Sequence, residues 1–303
     1  MTQPVTDTAP ALGLLLDVDG PIASPVSRSI AIPRIASDLA ELANAGVPIA
    51  FNTGRSDGFL REQVVPPLLE AGLSPDARLW GVCEKGAVWM SISADGTGEV
   101  NVDNALTVPD VVARDIEILV TRDYADLMFY DHTKRAMVSI EQNTTVSNER
   151  YLARQDEFDA QIAAILQRHG LGFERKGEKT PDASGAIDYR IDPTIISTDV
   201  ESIGVGKDLG AGRVIDFLKR EGAAVPRRWR TMGDSRTDYA MADWLHEHGY
   251  DVAHVDVRPS DGVPHTPYPV RHHDSLIHDE AGAEYLVRWV QMVRGEAEDD
   301  ADV

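Results

Sequence analysis

The sequence predicts an α/β fold: a parallel sheet, interrupted by an α+β insert and then resumed. Three observations carry this. Through the first hundred residues, apolar runs of strand length alternate with amphipathic helical stretches. Between about residues 103 and 195, helices and strands follow with hairpin-like spacing instead. Beyond residue 208 the alternation returns. The expected organisation is a first core segment over 1–102, an inserted domain over 103–195 and a second core segment over 196–303. A chain of 303 residues is long enough for two modules.

Residues 12–18 read as a buried strand, because Leu12-Gly13-Leu14-Leu15-Leu16 is continuously apolar. It ends in Asp17-Val18-Asp19-Gly20, where the glycine lets the chain turn sharply. A helix is expected over 33–45, with Ile35, Leu39 and Leu42 on one face and Gly46 past its end. Residues 47–51 form the next buried strand, running into Asn52-Thr53-Gly54-Arg55-Ser56. This β–α–β unit implies parallel neighbours. A second helix is expected over 58–70, with a break at Pro66-Pro67. A third strand over 79–82 leads into Glu84-Lys85-Gly86-Ala87, and 88–92 with 99–102 read as a hairpin across Asp95-Gly96.

In the insert, 111–120 reads as helix and 136–141 as strand. Residues 150–168 form a long helix with Leu152, Phe158, Ile162 and Ile165 in its apolar stripe. Residues 172–185 are expected to be a loop, followed by a strand over 186–191. The core then resumes with a helix over 208–220, a strand over 229–232, a helix over 238–248 closed by Gly249, and a strand over 251–257.

Composition narrows the function classes. With 43% hydrophobic residues the chain can bury a sizeable core. No apolar stretch is long enough to span a membrane, and residues 1–10 lack a signal peptide's basic start and apolar centre. The single cysteine, Cys83, fits a reducing, cytoplasmic setting and reads as a small core residue. Against 29 basic side chains stand 50 acidic ones, a net charge of −21. That field repels phosphate backbones and anionic lipid, so neither nucleic acid nor membrane is an expected partner. A small anionic substrate would need local cations. Residues 295–303 form an acidic tail expected to be disordered.

Four features stand at strand ends or helix starts: Asp17 with Asp19, Thr53-Gly54, Lys207, and Gly233-Asp234-Ser235-Arg236-Thr237-Asp238. If all lie at the carboxyl edge of one sheet, they converge on a single crevice. Phosphoryl transfer would need this set. Asp17 would attack phosphorus in line, while Mg²⁺ on Asp17 and Asp234 lowered its repulsion toward the phosphate. Asp19 would protonate the leaving oxygen and later activate water. The Thr53 hydroxyl, the Gly54 amide and the Lys207 ammonium would hold phosphate oxygens. Ordinary roles stand beside these: a solvated turn at Asp17 and Asp19, a helix cap at Thr53 or Asp238, a surface lysine at 207. A P-loop at Gly206-Lys207 fails, because position 201 is Glu and position 208 is Asp. His272, His273 and His278 fall outside the motif set, and a zinc site is not expected there.

Asp17-Val18-Asp19-Gly20, Thr53-Gly54-Arg55, Lys207 and Gly233-Asp234 with Asp238 resemble the four ordered motifs of the haloacid dehalogenase superfamily. The insert resembles the C2-type α+β cap of its sugar-phosphatase-like branch. Glu84-Lys85-Gly86-Ala87 stands where many members carry Asn-Gly. The resemblance covers roughly residues 12–257. It implies a Rossmann-like core, Mg²⁺ bound by Asp17, Asp234, Asp238 and the backbone carbonyl of Asp19, an aspartyl-phosphate on Asp17, and phosphatase activity. Three positions depart from the pattern: Pro21 replaces a threonine, Thr237 an asparagine and Lys85 a frequent asparagine. None removes the nucleophile, the acid/base, the lysine or the metal carboxylates.

The expected partner is a small phosphorylated metabolite, in particular a sugar phosphate, acted on by a monomer or small homo-oligomer. Arg55, Lys176, Lys179 and Arg190 are the candidate substrate contacts. Two alternatives stay open: a phosphosugar mutase, in which transfer outcompetes water at Asp17, and a catalytically idle module that senses phosphometabolites.

Overall fold

The computed structural model describes residues 10–296. The acidic tail from residue 297 onward lies outside them. Six strands come first: β1 (Gly13–Leu16), β2 (Ile49–Asn52), β3 (Leu79–Cys83), β4 (Val88–Ser93), β5 (Gly96–Thr97) and β6 (Asn101–Val102). Six more follow: β7 (Met128–Tyr130), β8 (Val138–Gln142), β9 (Phe173–Arg175), β10 (Glu178–Thr180), β11 (Tyr189–Pro193) and β12 (Ser197–Ser202). The last three are β13 (Arg228–Gly233), β14 (Asp251–Asp256) and β15 (Val270–Arg271). The chain divides into two compact units, one built from the residues up to Asn101 and from Gly206 onward, the other from Val102–Val205.

The first unit holds a sheet ordered β15-β14-β13-β1-β2-β3-β4-β5, with β6 paired to β4. From β15 to β3 every pairing is parallel, and β4 turns back antiparallel on β3. Leu14, Leu15 and Leu16 are all fully buried, as consecutive residues can be only in a sheet covered on both faces. Leu15, Ala50, Trp80 and Trp229 pack with Ala211 and Val214 of the helix Lys207–Arg220 and Met241 of the helix Tyr239–Glu247. The helices Pro33–Asn44 and His278–Arg294 pair with each other. The second of these was not expected from the sequence, which reads loop-like around Pro267 and Pro269.

Two local expectations are refined. The helix over 57–70 does not break at Pro66-Pro67; the turn Leu60–Val64 widens to π winding, with the Val65 amide donating to the Leu60 carbonyl. The wider turn accommodates two residues that have no amide hydrogen to give. The hairpin turn is Ala94-Asp95, and Gly96 already pairs with Ser93.

The second unit is a sheet ordered β10-β9-β11-β12-β8-β7, antiparallel except for β11 against β9. The helices Asp110–Leu119 and Asn148–Arg168 supply Val112, Ile116, Phe158, Ile162 and Ile165 to its core. Leu152 does not belong to that stripe and is half exposed. The buried line runs Tyr151, Gln155, Phe158, Ile162, one position away and so about 100° round the helix. Residues 172–185 are not a simple loop, because β9 and β10 form a hairpin inside them. Its turn is Lys176-Gly177, at φ 50° and 82°. Its strands are polar (Glu174, Arg175, Glu178, Lys179), so no alternation marks them. The unit also runs to Val205, beyond the boundary expected near 195, because β12 pairs with β11 and β8.

Candidate active site

Strand order brings the motif residues together. β1 lies between β13 and β2, all three parallel, so Asp17, Thr53 and Asp234 leave the sheet at adjacent carboxyl ends. The crossovers on the two sides of β1 leave in opposite directions, which opens a crevice at such a point. The Asp17 amide still donates to the Met232 carbonyl at 2.8 Å, and the Thr53 amide to the Val82 carbonyl at 2.9 Å. Gly20 then turns the chain at φ 93°; a Cβ there would lie 2.8 Å from the Asp234 Cβ. Only glycine lets the two loops approach this closely.

Lys207 opens the helix Lys207–Arg220 and is buried, not a surface lysine. Its ammonium meets three oxygens: Asp17 Oδ1 at 2.6 Å, the Asn52 carbonyl at 2.7 Å and Asp238 Oδ1 at 2.7 Å. The first two are hydrogen bonds and the third is an ion pair. Asn52 also donates through Nδ2 to the Lys207 carbonyl at 2.7 Å, so it clamps the helix start from both sides. Asn52 had no assigned role in the sequence; an amide side chain closing a buried strand was the available signal. Burial pushes the Asp17 carboxyl up to about 8, with the charges of Asp238 and Asp19 adding to the rise and Lys207 opposing it. Burial alone would lower the Lys207 ammonium, but the two carboxylates outweigh it and hold it above the ordinary lysine value. In Asp238 the same ammonium outweighs burial and keeps the carboxyl low.

Asp17, Asp234 and Asp238 each offer an oxygen within 4.8 Å of the others. Burial, then the Asp238 charge, raise Asp234 to about 6, while Arg258 acts against the rise. Three crowded carboxylates facing one ammonium leave negative charge uncompensated, and their oxygen donors fit a hard divalent cation such as Mg²⁺. Asp238 contributes only Oδ1 to this face. Its Oδ2 accepts from the Asp234 amide, the Ser235 amide and the Ser235 hydroxyl, closing a capping box. Thr237, standing where an asparagine was expected, bonds the Ser235 hydroxyl at 2.9 Å.

Asp19 carries both its oxygens to Arg55, at 2.8 Å from Nε and Nη2. Arg55 therefore belongs to the site through Asp19. Thr53 is not a helix cap: its hydroxyl accepts from the Arg55 amide, and Ser56 caps the following helix. Gly54 has the Lys85 Cε across its open face, at 3.9 Å from where a Cβ would be. Lys85 itself bonds the Thr53 carbonyl through its amide and accepts from Gly206 through its carbonyl. It ties the Thr53 loop to the Lys207 helix.

The remaining candidates fall in the second unit. Lys176 pairs with Asp156, Lys179 lies 4.0 Å from Glu174, and Arg190 bonds the buried Glu201 at 2.5 Å and the Val205 carbonyl at 2.9 Å. Each is engaged within that unit.

No protein-family model matches the chain, and no curated protein matches it in sequence. Solved structures do. The C-terminal domain of trehalose-6-phosphate phosphatase from C. albicans matches at TM-score 0.61 and 12% identity, covering 95% of this chain and 93% of that one. Trehalose-6-phosphate phosphatase from Aspergillus fumigatus matches at TM-score 0.50 and 15% identity, over 95% and 94%. IMP-nucleotidase from Plasmodium falciparum matches at TM-score 0.54 and 11% identity, over 98% of this chain and 65% of that one.

Proposed function

We propose that the chain, whose fold is similar to that of trehalose-6-phosphate phosphatases and whose motifs resemble those of the haloacid dehalogenase superfamily, is a Mg²⁺-dependent phosphomonoesterase acting on a small phosphorylated metabolite. The observation that supports the proposal is the cluster of Asp17, Lys207, Asp234 and Asp238, with Lys207 bridging Asp17 and Asp238 and Thr53 at the end of the neighbouring strand. An idle sensing module would not need a buried carboxylate held against a buried ammonium beside two further carboxylates.

In this mechanism Asp17 attacks phosphorus through its free oxygen, and the bond from phosphorus to the leaving oxygen breaks. Asp19 gives that oxygen a proton, then takes one from the water that attacks the aspartyl-phosphate, releasing phosphate and restoring Asp17. Lys207 turns one of its three hydrogens to a phosphate oxygen, alongside the Thr53 hydroxyl and the Gly54 amide. Arg55 holds Asp19 by both oxygens and so sets its direction. Bound to Asp17, Asp234 and Asp238, with the Asp19 carbonyl, Mg²⁺ would offset the negative charge of nucleophile and phosphate.

A sugar phosphate is the substrate class we favour, from the trehalose-6-phosphate phosphatases of similar fold. By family resemblance the second unit is proposed to be a C2-type cap, with Lys176, Lys179 and Arg190 as candidate substrate contacts. The test is a panel of phosphomonoesters, sugar phosphates among them, assayed with Mg²⁺ and with chelator. Turnover is expected only with Mg²⁺ and is lost in Asp17→Asn, while Asp19→Asn costs about 10²- to 10⁴-fold. No turnover of any ester by the Mg²⁺-loaded protein would sink the proposal.

A further inference from the structure

His278 opens the helix His278–Arg294 and was read from the sequence as part of a loop without chemistry. Its backbone stands at φ 52°, a left-handed conformation that is strained for a residue bearing a side chain. Two hydrogen bonds hold it there. The His278 amide donates to the Val257 carbonyl at 2.9 Å, and the Val257 amide donates to the Gly233 carbonyl at 2.9 Å. Gly233 precedes Asp234, so His278 is fixed to the very loop that presents this carboxylate.

The helix is also clamped to the loop after Asp19. Gly282 lies four residues on, on the same helix face as His278. A Cβ on Gly282 would lie 2.0 Å from the Pro21 carbonyl oxygen, so backbone meets backbone there. Gly20, next to Pro21, is the residue whose missing side chain makes room for Asp234. The imidazole is thus aimed by two independent attachments. Its Nδ1 lies 4.0 Å from Asp234 Oδ2, is closed off from solvent, and has no hydrogen-bond partner among the described residues. A separation of 4.0 Å is too long for a hydrogen bond; a shift of about 1 Å makes one.

We infer that His278 is a positioning residue for Asp234. Its Nδ1–H donates to the carboxylate oxygen that Asp234 does not give to the divalent cation, and so fixes the direction in which the carboxylate binds. Carboxylate ligands are commonly held by such outer partners, whose removal weakens metal binding about 10- to 100-fold. The inference rests on the metal-binding reading of Asp17, Asp234 and Asp238 given above.

The experiment is titration calorimetry of Mg²⁺ into the full chain, wild type against His278→Gly and His278→Asn, with metal-free thermal melts of each. His278→Gly is expected to bind Mg²⁺ about 10- to 100-fold more weakly. Its metal-free melting temperature is expected to hold or rise, because glycine adopts the φ 52° backbone without strain. His278→Asn keeps an N–H donor and tolerates this conformation, so it recovers part of the affinity. Equal Mg²⁺ affinity in wild type and His278→Gly overturns the inference and leaves the phosphatase reading standing. So does a variant that melts lower yet binds as wild type does, since that marks a purely structural histidine. A wild-type chain that binds no Mg²⁺ sinks both.

Discussion

Asp238 serves two structures with its two oxygens. Oδ2 closes the turn from Asp234 to Asp238, and Oδ1 faces Lys207. The sequence left open whether this residue caps a helix or joins an acidic site; the structure divides the roles by atom. His254, one element behind, is a buried histidine of another kind. Its Nδ1 bonds the Thr231 hydroxyl at 2.7 Å and its ring lies 4.2 Å from that of Tyr239. Burial pushes its pKa down to about 4. The unfolded chain takes a proton on this histidine near 6.5, the folded chain only near 4. The associated stability is therefore complete above pH 6.5 and falls as the pH drops toward 4, by about 3 kcal/mol in all. Chemical denaturation across that window should show the loss in wild type and a shallower slope in His254→Gln, whatever the variant's absolute stability. Parallel curves would refute the assignment.

At the level of elements, the site depends on helices entering it at fixed depth. Lys207 is held because Asn52 bonds the helix start through both carbonyl and amide. The C-terminal helix is held because Gly282 lets its backbone meet Pro21. Gly282→Ala forces a methyl into the Pro21 carbonyl oxygen and should destabilise the chain by about 1–3 kcal/mol. Because Pro21 continues the loop that carries Asp19, turnover should fall as well. Denaturant unfolding and steady-state assays read the two effects, and a variant as stable as wild type would contradict the close approach. Pro21, noted in the sequence as a departure from the family pattern, thus has a packing role: its carbonyl is the floor on which this helix rests.

Across the whole molecule, each unit has its own sheet and its own buried cluster. The second unit packs Val112, Ile116, Tyr124, Tyr151, Phe158, Ile162 and Ile191 together in one buried cluster. Inside it, Gln155 bonds the Thr194 and Ser197 carbonyls and Asp159 accepts from Thr198, tying helix to sheet. Residues 102–205 expressed alone should therefore fold, giving a cooperative thermal transition and dispersed amide resonances. A fragment with the narrow spectrum of an unfolded chain would show that the unit needs the rest of the protein. Such a test must cut at Val102 and Val205. Cutting near 195 would remove β12, which pairs on both its edges within this sheet.

The sequence by itself determined the parallel core and the residues proposed for its chemistry. A buried strand ending in acid and glycine is written in neighbouring residues, and so is a helix opening at Lys207. These signals are local, and Asp17, Thr53, Lys207, Asp234 and Asp238 could be picked out from them. Only the tertiary structure decided which groups touch. Lys207 reaches Asp17 across 190 positions and Asn52 across 155. Periodicity over a dozen residues carries no information at that range. For the same reason the polar β9–β10 hairpin and the strand β12 are not legible, since pairing with distant segments stabilises them. The helix beginning at His278 is different: Ala281, Tyr285, Leu286, Trp289 and Val290 form a buried stripe at helical spacing, a local signal that the prolines and histidines before it obscure. The two carboxylates that end β1 were legible as a pair; that Lys207 holds one and Arg55 the other became visible only when the sheet had set its order.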